Sequence, residues 1–217
     1  MKSSNKLLSI VFVLAVVVLI ITFSIGLPIY VRPFYYAHVD ALDMPEKWGL
    51  DREMIIEAYD EVLDFLTRDD CEFSTGVLPF SNEGKGHFED CKTLFDLNKN
   101  AFIISLATVL ILLFLHIVRA IRLARPFGMP LSFFAGFGTL LLFASLAVVV
   151  AQDFSAAFTV FHKIFFPGKS NWMFNPYKDP IILFMPQQFF MDCAILICAS
   201  ILIISFALMV RGIKKKD

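Results

Sequence analysis

Several signatures of common enzymes and binding proteins are missing from this sequence. It has no glycine-rich phosphate loop and no G-x-S-x-G motif, so nothing in it indicates a nucleotide enzyme or a serine hydrolase. Its four cysteines include no C-x-x-C pair, which argues against zinc and thiol-redox sites of that spacing. A basic stripe, a metal-ligand cluster and a cofactor motif are also missing. We therefore predict no metal, no cofactor and no nucleic-acid partner.

Long apolar runs dominate the sequence instead. Hydrophobic residues make up 58% of the 217 residues and the mean hydropathy is +0.71, which is too apolar for an ordinary soluble domain. About 20 apolar residues cross the core of a bilayer. Four runs nearly free of charge are long enough: 7–31, 101–118, 127–152 and 180–210. The sequence predicts an all-α membrane protein with four transmembrane helices and a small extracellular α(+β) cap.

Charged residues indicate the orientation of these spans. Basic residues concentrate at the two termini and between the second and third runs, whereas residues 32–100 are strongly acidic. Because Lys and Arg in short loops mark the cytoplasmic side, we predict that both termini are cytoplasmic. The predicted parts are a first transmembrane helix (1–31), an extracellular cap (32–100), the second and third transmembrane helices with a short basic cytoplasmic loop (101–152), an extracellular aromatic interfacial segment (153–179), and the fourth transmembrane helix with a basic tail (180–217).

Apolar spacing in the cap predicts a helix between Pro45 and Arg68. The run EFSTGVLPF alternates weakly and predicts a short strand, followed by a turn at SNEGKG and a second helix that begins near His87. In the aromatic segment, Phe154 and Phe158 begin a series at helical spacing, which predicts an interfacial helix with His162 at the edge of its aromatic face.

Four histidines are candidates for proton transfer near neutral pH. His116 lies in an apolar run, where a local hydrogen bond is the simpler interpretation. His38 begins HVDALD, whose His-x4-Asp spacing resembles a motif of glycerolipid acyltransferases but lacks the glycines around it. His87 and His162 both adjoin spans on the predicted outer side, so the fold could bring them together, with a structural role as the alternative.

The cysteines leave two interpretations open. A disulfide between Cys71 and Cys91 is compatible with an extracellular cap, and buried free thiols are the alternative. Cys91 could also act as a nucleophile beside His87, although nothing nearby would stabilise its thiolate.

Two stretches show a resemblance to a known family. GHFEDCK, around His87, and FHKIFFPGKSNW with DPIILFMPQQFF, around His162, resemble the lipoprotein intramolecular transacylases of Gram-positive bacteria. The resemblance covers nearly the whole chain. It departs at Cys91, where the family has a small aliphatic residue, and near Gln188, where it has an acid.

This resemblance implies an acyltransferase of the bacterial cell membrane whose partner is a diacylglyceryl-modified lipoprotein. The enzyme would move the sn-2 acyl chain onto the α-amino group of the N-terminal cysteine and leave a lyso-form lipoprotein. The family's two catalytic histidines match His87 and His162. We expect further side chains to contact substrate or membrane lipid, namely Tyr30, Phe161, Phe165 and Trp172 for acyl chains and Arg32 or Lys92 for polar groups, with ordinary interfacial packing as the alternative. Asp90, also counted among the substrate-binding residues, could orient His87, with a solvated surface aspartate as the alternative.

A shared site for the two histidines has a geometric requirement. A straight helix would place His87 roughly 20 Å above Ala101, so we predict a bend or loop near residues 98–100. Two other functions fit the composition. A thiol oxidoreductase would need paired reactive cysteines, and a membrane scaffold or transporter subunit would use Asp192, Gln152 and His116 as buried polar contacts.

Overall fold

The computed structural model describes residues 5–214, and within that range it contains nine α-helices. In chain order they are α1 (Lys6–Tyr30), α2 (Pro33–Ala41), α3 (Met44–Trp48), α4 (Arg52–Thr67), α5 (Asn82–Ile117), α6 (Leu131–Gln152), α7 (Phe154–Phe165), α8 (Ile181–Phe184) and α9 (Gln187–Lys214). A 3-10 turn at Pro126–Gly128 lies between α5 and α6. Lys2 and residues 215–217, which contribute to the prediction of cytoplasmic termini, lie outside the described residues.

Four of these helices, α1, α5, α6 and α9, are long and apolar enough to cross a membrane. The prediction of a helical protein with four candidate spans is therefore confirmed. The fourth span differs from the predicted run because α8 ends at Phe184 and α9 begins only at Gln187. Pro186 lies between them, and a proline has no backbone N–H to continue a helix.

The chain divides into two compact units. The first contains the described residues of Met1–Gly26, Asn98–Ala151 and Leu196–Asp217. Its core joins α1, α5, α6 and α9 through small and branched apolar side chains, among them Ala15, Val109, Ala135 and Ile201. Gly136 lets α6 approach α9 closely, since a Cβ there would lie 2.6 Å from the carbonyl oxygen of Ser205.

The second unit contains Leu27–Leu97 and Gln152–Ile195. Helix α4 buries one apolar face in it, as the sequence predicts, although Gly49 in a left-handed conformation separates α3 from α4. Tyr35 stacks on Tyr59 with ring centroids 3.6 Å apart. The Tyr35 hydroxyl donates to the carbonyl of Phe184 at 2.8 Å, which ties α2 to α8. These contacts hold α2, α4 and α8 together.

The predicted strand in EFSTGVLPF is wrong, because the described residues include no strand. The backbone of this segment bonds elsewhere: the Gly76 N–H donates to the Glu61 carboxylate of α4 at 2.7 Å. The Leu78 N–H donates back to Thr75, and Gly76 has φ +61°. With these local bonds and no neighbouring strand to pair with, the segment forms an irregular loop on α4.

Helix α5 corrects two further predictions. SNEGKG is not a turn, because α5 begins at Asn82 with Ser81 as its N-cap, whose hydroxyl accepts from the Gly84 N–H at 3.0 Å. The loop predicted as one alternative near residues 98–100 is also wrong, since α5 continues as one helix of 36 residues, while a bend within the helix stays a prediction. No proline or glycine lies between Gly86 and the end of the helix to interrupt its hydrogen bonds.

Candidate active site

His87 lies on the second turn of α5, where the helix is anchored to the segment before α8. The buried Asp179 carboxylate accepts from the Ser81 N–H at 2.7 Å and from the Ser81 hydroxyl at 2.8 Å. Gly84 permits this approach, because a Cβ there would collide with Asp179 and press on Phe174. The cap of α5 therefore fixes both the start of the helix and the position of His87.

His162 lies near the end of α7, a helix that the sequence predicts. The Asp153 side chain caps α7 by accepting from the Ala156 N–H at 2.9 Å. The helix ends before Gly168, which has φ +75°. His162 is only 6% exposed although its neighbours Phe161 and Phe165 are about half exposed. Its ring therefore points into the second unit rather than away from it.

The two histidine rings meet, with centroids 5.8 Å apart. Aromatic side chains enclose them. Phe166 lies 5.0 Å from His87 and 5.7 Å from His162, Phe174 lies 5.4 Å from His87, and Trp172 lies 4.7 Å from His162. The site is thus a pair of buried imidazoles in an apolar, water-poor environment.

The hydrogen bond of His162 determines which of its two ring nitrogens carries the hydrogen in the neutral form. Its Nδ1 lies 2.7 Å from the Phe158 carbonyl oxygen, which can only accept, so Nδ1 carries the hydrogen. Nε2 of the neutral ring is then left with a lone pair, which is the state a general base requires. Burial lowers the pKa of His162 from its ordinary value, and the bond to Phe158 partly opposes that shift.

The nitrogens of His87 have different surroundings. Nε2 lies 3.4 Å from the Cys91 sulfur, one helical turn away. Nδ1 is buried and has no hydrogen-bond partner among the described residues. A buried polar atom without a partner is unfavourable in a folded protein and often marks a site that a ligand completes.

Asp90 links α5 to the loop that follows α7. Its carboxylate pairs with Lys169 and accepts from the Asn171 amide at 3.1 Å. The carbonyl of Lys169 in turn accepts from the Trp172 indole N–H at 3.1 Å. Asp90 thus holds the loop that carries Trp172 rather than bonding to His87 itself.

Comparison with known proteins identifies the family. The sequence model described as lipoprotein intramolecular transacylase Lit matches residues 10–190. The chain belongs to the lipoprotein intramolecular transacylase family. It is therefore an acyltransferase integral to the membrane, which removes the thiol-oxidoreductase and scaffold interpretations.

Solved transacylase structures share the fold. An in meso structure of the membrane integral Lit from Bacillus cereus is 25% identical to this chain, with a TM-score of 0.85 and coverage of 97% of this chain and 96% of that one. Two structures of the same protein with one histidine replaced, by alanine or by arginine, are 24% identical with TM-scores of 0.78. They cover 97% of this chain and 94% and 92% of theirs. No curated protein sequence matches this chain.

The other residues predicted for the site differ in their contacts with the histidine pair. Trp172 and Phe161 contact the His162 ring, and Phe165 packs on Phe161 with centroids 4.6 Å apart. Arg32 and Lys92 have their charges engaged elsewhere. Arg32 pairs with two aspartates of α4, and Lys92 donates to the carbonyls of Phe65 and Arg68 at 2.6 Å each.

Neither Tyr30 nor His38 has a described ring contact or hydrogen bond with the histidine pair. Tyr30 is 54% exposed, and no described ring contact or hydrogen bond joins it to either histidine. His38 pairs through Nε2 with Asp192 of α9 at 3.0 Å and not with Asp43, the acid of its His-x4-Asp spacing. That pair joins α2 to α9.

Three residues at or near the histidine pair were not predicted from the sequence as functional, namely Phe166, Asn171 and Phe174. Phe174 is one of 25 phenylalanines and lies outside the quoted motifs, so only its contact with His87 distinguishes it. Phe166 and Asn171 both stand in the motif FHKIFFPGKSNW, so the motif was the signal that could have indicated them. The four cysteines are free in the structure, and Cys91 contacts His87 instead of Cys71.

The titration of His162 is the first testable consequence. Because burial favours the uncharged ring, we expect His162 to titrate below the value of about 6.5 found for an unperturbed histidine. At pH 6.5 more than half of the His162 rings should therefore be neutral, with the hydrogen on Nδ1. Two-dimensional 15N NMR of histidine-labelled protein in micelles measures both the pKa and the tautomer of the ring. The His162 signals are assigned as those that are missing from a His162→Gln variant. A pKa above 6.5 would contradict the prediction that burial favours the uncharged ring.

Proposed function

We propose that this chain transfers the sn-2 acyl chain of a diacylglyceryl-modified lipoprotein to the α-amino group of the same lipoprotein's N-terminal cysteine. His162 acts as the general base and His87 as a hydrogen-bond donor. The observation that supports this most is the enclosed histidine pair, in which one ring has a free acceptor nitrogen and the other an unpartnered buried nitrogen.

The proposed reaction balances within one substrate molecule. The amine nitrogen attacks the ester carbonyl carbon, a C–N bond forms, and the C–O bond to the glyceryl sn-2 oxygen breaks. Nε2 of His162 takes the proton from the attacking amine and returns it to the departing oxygen, which becomes a hydroxyl. General base and acid action of this kind contributes about 10²- to 10⁴-fold in rate. No covalent acyl-enzyme is needed.

Cys91 supports the assignment of His87 as donor. A thiol can donate weakly to an imidazole nitrogen, and the 3.4 Å contact fits an S–H that points at Nε2. Nε2 is then the unprotonated nitrogen, so the hydrogen of the neutral ring sits on Nδ1. An N–H there can stabilise the negative charge that develops on the carbonyl oxygen. Substrate must displace the groups that now bury this nitrogen.

The aromatic walls fit the rest of the substrate. Phe158, Phe161 and Trp172 form an apolar surface beside His162 that suits acyl chains. A site that excludes water favours attack by the amine over hydrolysis of the same ester. Holding amine and ester together also removes the cost of a bimolecular encounter, with effective molarities up to about 10⁸ M.

We further propose the orientation given by the charges, with both termini cytoplasmic and the second unit on the extracellular side in contact with membrane lipid. The short connection between α5 and α6 contains Arg119, Arg122 and Arg125, as expected for a cytoplasmic loop.

Tandem mass spectrometry tests the reaction. In a bacterium that makes only diacylglyceryl lipoproteins, expression of this chain should leave the parent mass of an N-terminal lipopeptide unchanged. Its fragments should show one acyl chain on the cysteine nitrogen and one on the glyceryl group. Changing Cys71, Cys193 and Cys198 to alanine should preserve this pattern, because no thiol reacts. A diacylglyceryl pattern from correctly folded wild-type protein would refute the proposal.

A further inference from the structure

A polar cleft adjoins the histidine pair in the second unit. Its volume is about 340 Å³, and the first turn of α5 and residues 170–179 form its walls. Glu83, Lys178, Ser170 and Asn175 give it one acidic, one basic and two uncharged polar groups, all of them exposed. This lining differs from the aromatic wall beside His162, so the two surfaces suit different parts of one substrate.

The cleft and the histidine site share two side chains. Phe174 lines the cleft, and its ring centroid lies 5.4 Å from that of His87. Asn171 also lines the cleft and bonds to Asp90, one turn after His87 on α5. A chain that leaves the reacting atoms at His87 can therefore enter the cleft directly.

Asn171 provides an acceptor that needs a donor. Its amide nitrogen donates to the Asp90 carboxylate at 3.1 Å, which fixes the orientation of the side chain. The amide oxygen is buried and has no hydrogen-bond partner among the described residues. Asp90 is itself held by Lys169, so the amide cannot turn without losing this arrangement. A peptide N–H is the donor that a lipoprotein would bring.

We propose that this cleft binds the polypeptide immediately after the lipidated cysteine, and that the Asn171 amide oxygen accepts a hydrogen bond from a backbone N–H of that polypeptide. This inference rests on the proposed function. The oxygen is shielded in the free protein, so the bond forms when substrate parts the residues around it, as active-site bonds often do. Recognition of backbone N–H rather than side chains would let one enzyme accept lipoproteins of different sequence.

Synthetic lipopeptides test this bond. Diacylglyceryl-cysteinyl tetrapeptides in detergent micelles are compared with analogues in which one backbone N–H after the cysteine is replaced by an ester oxygen, position by position. For the full wild-type chain, one replacement should raise KM about 3- to 10-fold, the size of one net hydrogen bond, with little change in kcat. In Asn171→Ala the same replacement should change KM less than about 2-fold.

The outcomes separate the two proposals. If the ester replacement has the same effect in wild type and Asn171→Ala, or no effect in wild type at any position, Asn171 does not bind the peptide and the inference is overturned. Either of these results is expected if the Asn171 amide oxygen only binds a water molecule or only supports the fold, because neither role depends on a backbone N–H of the substrate. If wild type transfers no acyl chain in any lipopeptide, the proposed function fails and the inference fails with it.

Discussion

His162→Gln is expected to slow acyl transfer by about 10²- to 10⁴-fold, the usual contribution of a general base. The glutamine amide reaches the position of Nε2 and keeps the size and polarity of the side chain, but it cannot accept a proton. The loss should appear in kcat rather than KM, because the proton moves only as the amine attacks. Single-turnover kinetics with a diacylglyceryl lipopeptide, followed by fragmentation mass spectrometry, measures it.

Lys163→Gln is the matched control for this variant. Lys163 is the next residue on α7 and is exposed, so the same new side chain there changes the charge of the helix without touching the histidine pair. It should transfer at nearly the wild-type rate. Transfer by His162→Gln within about threefold of wild type would be far smaller than a base contributes and would remove His162 from the mechanism.

The elements that the sequence predicts well are those set by local pattern. Long apolar runs are sufficient to locate four spans, and the phenylalanine spacing that begins at Phe154 is sufficient to locate α7. The start of α5 was missed because SNEGKG is rich in turn formers, and its helical state depends on Asp179, almost 100 residues away in the chain. Tertiary contacts of this kind override local preference.

The same limit applies to the site. The motifs around His87 and His162 indicate the pair, but the sequence offers no way to see that Arg32 and Lys92 are engaged by α4. Both are long cations beside predicted spans, which makes them resemble contacts for lipid or substrate. Their partners lie at least 24 residues away in the chain, so only the fold shows that Arg32 is paired with aspartates and that Lys92 donates to backbone carbonyls.

Substitutions of His87 test whether this ring acts as the hydrogen-bond donor while His162 acts as the base. His87→Ala removes the proposed N–H donor and should slow transfer by about 10²- to 10³-fold, the cost of one oxyanion-stabilising hydrogen bond. His87→Asn places an amide N–H close to the position of Nδ1, whereas His87→Gln places one near Nε2. If Nδ1–H is the donor, Asn should recover a large part of the rate that Ala loses, and Gln should not.

This comparison also tests the contact with Cys91. The thiol is 3.4 Å from Nε2, so the amide of His87→Gln would lie near the Cys91 sulfur and would leave the position of Nδ1 empty. Greater recovery by Gln than by Asn would mean that Nε2 works in the reaction, and the Cys91 contact would then have to break when substrate binds. Equal loss in all three variants, with the fold retained, would contradict the donor role of His87. It would favour a role as acid or base, because an imidazole can gain and lose a proton near neutral pH and neither amide can.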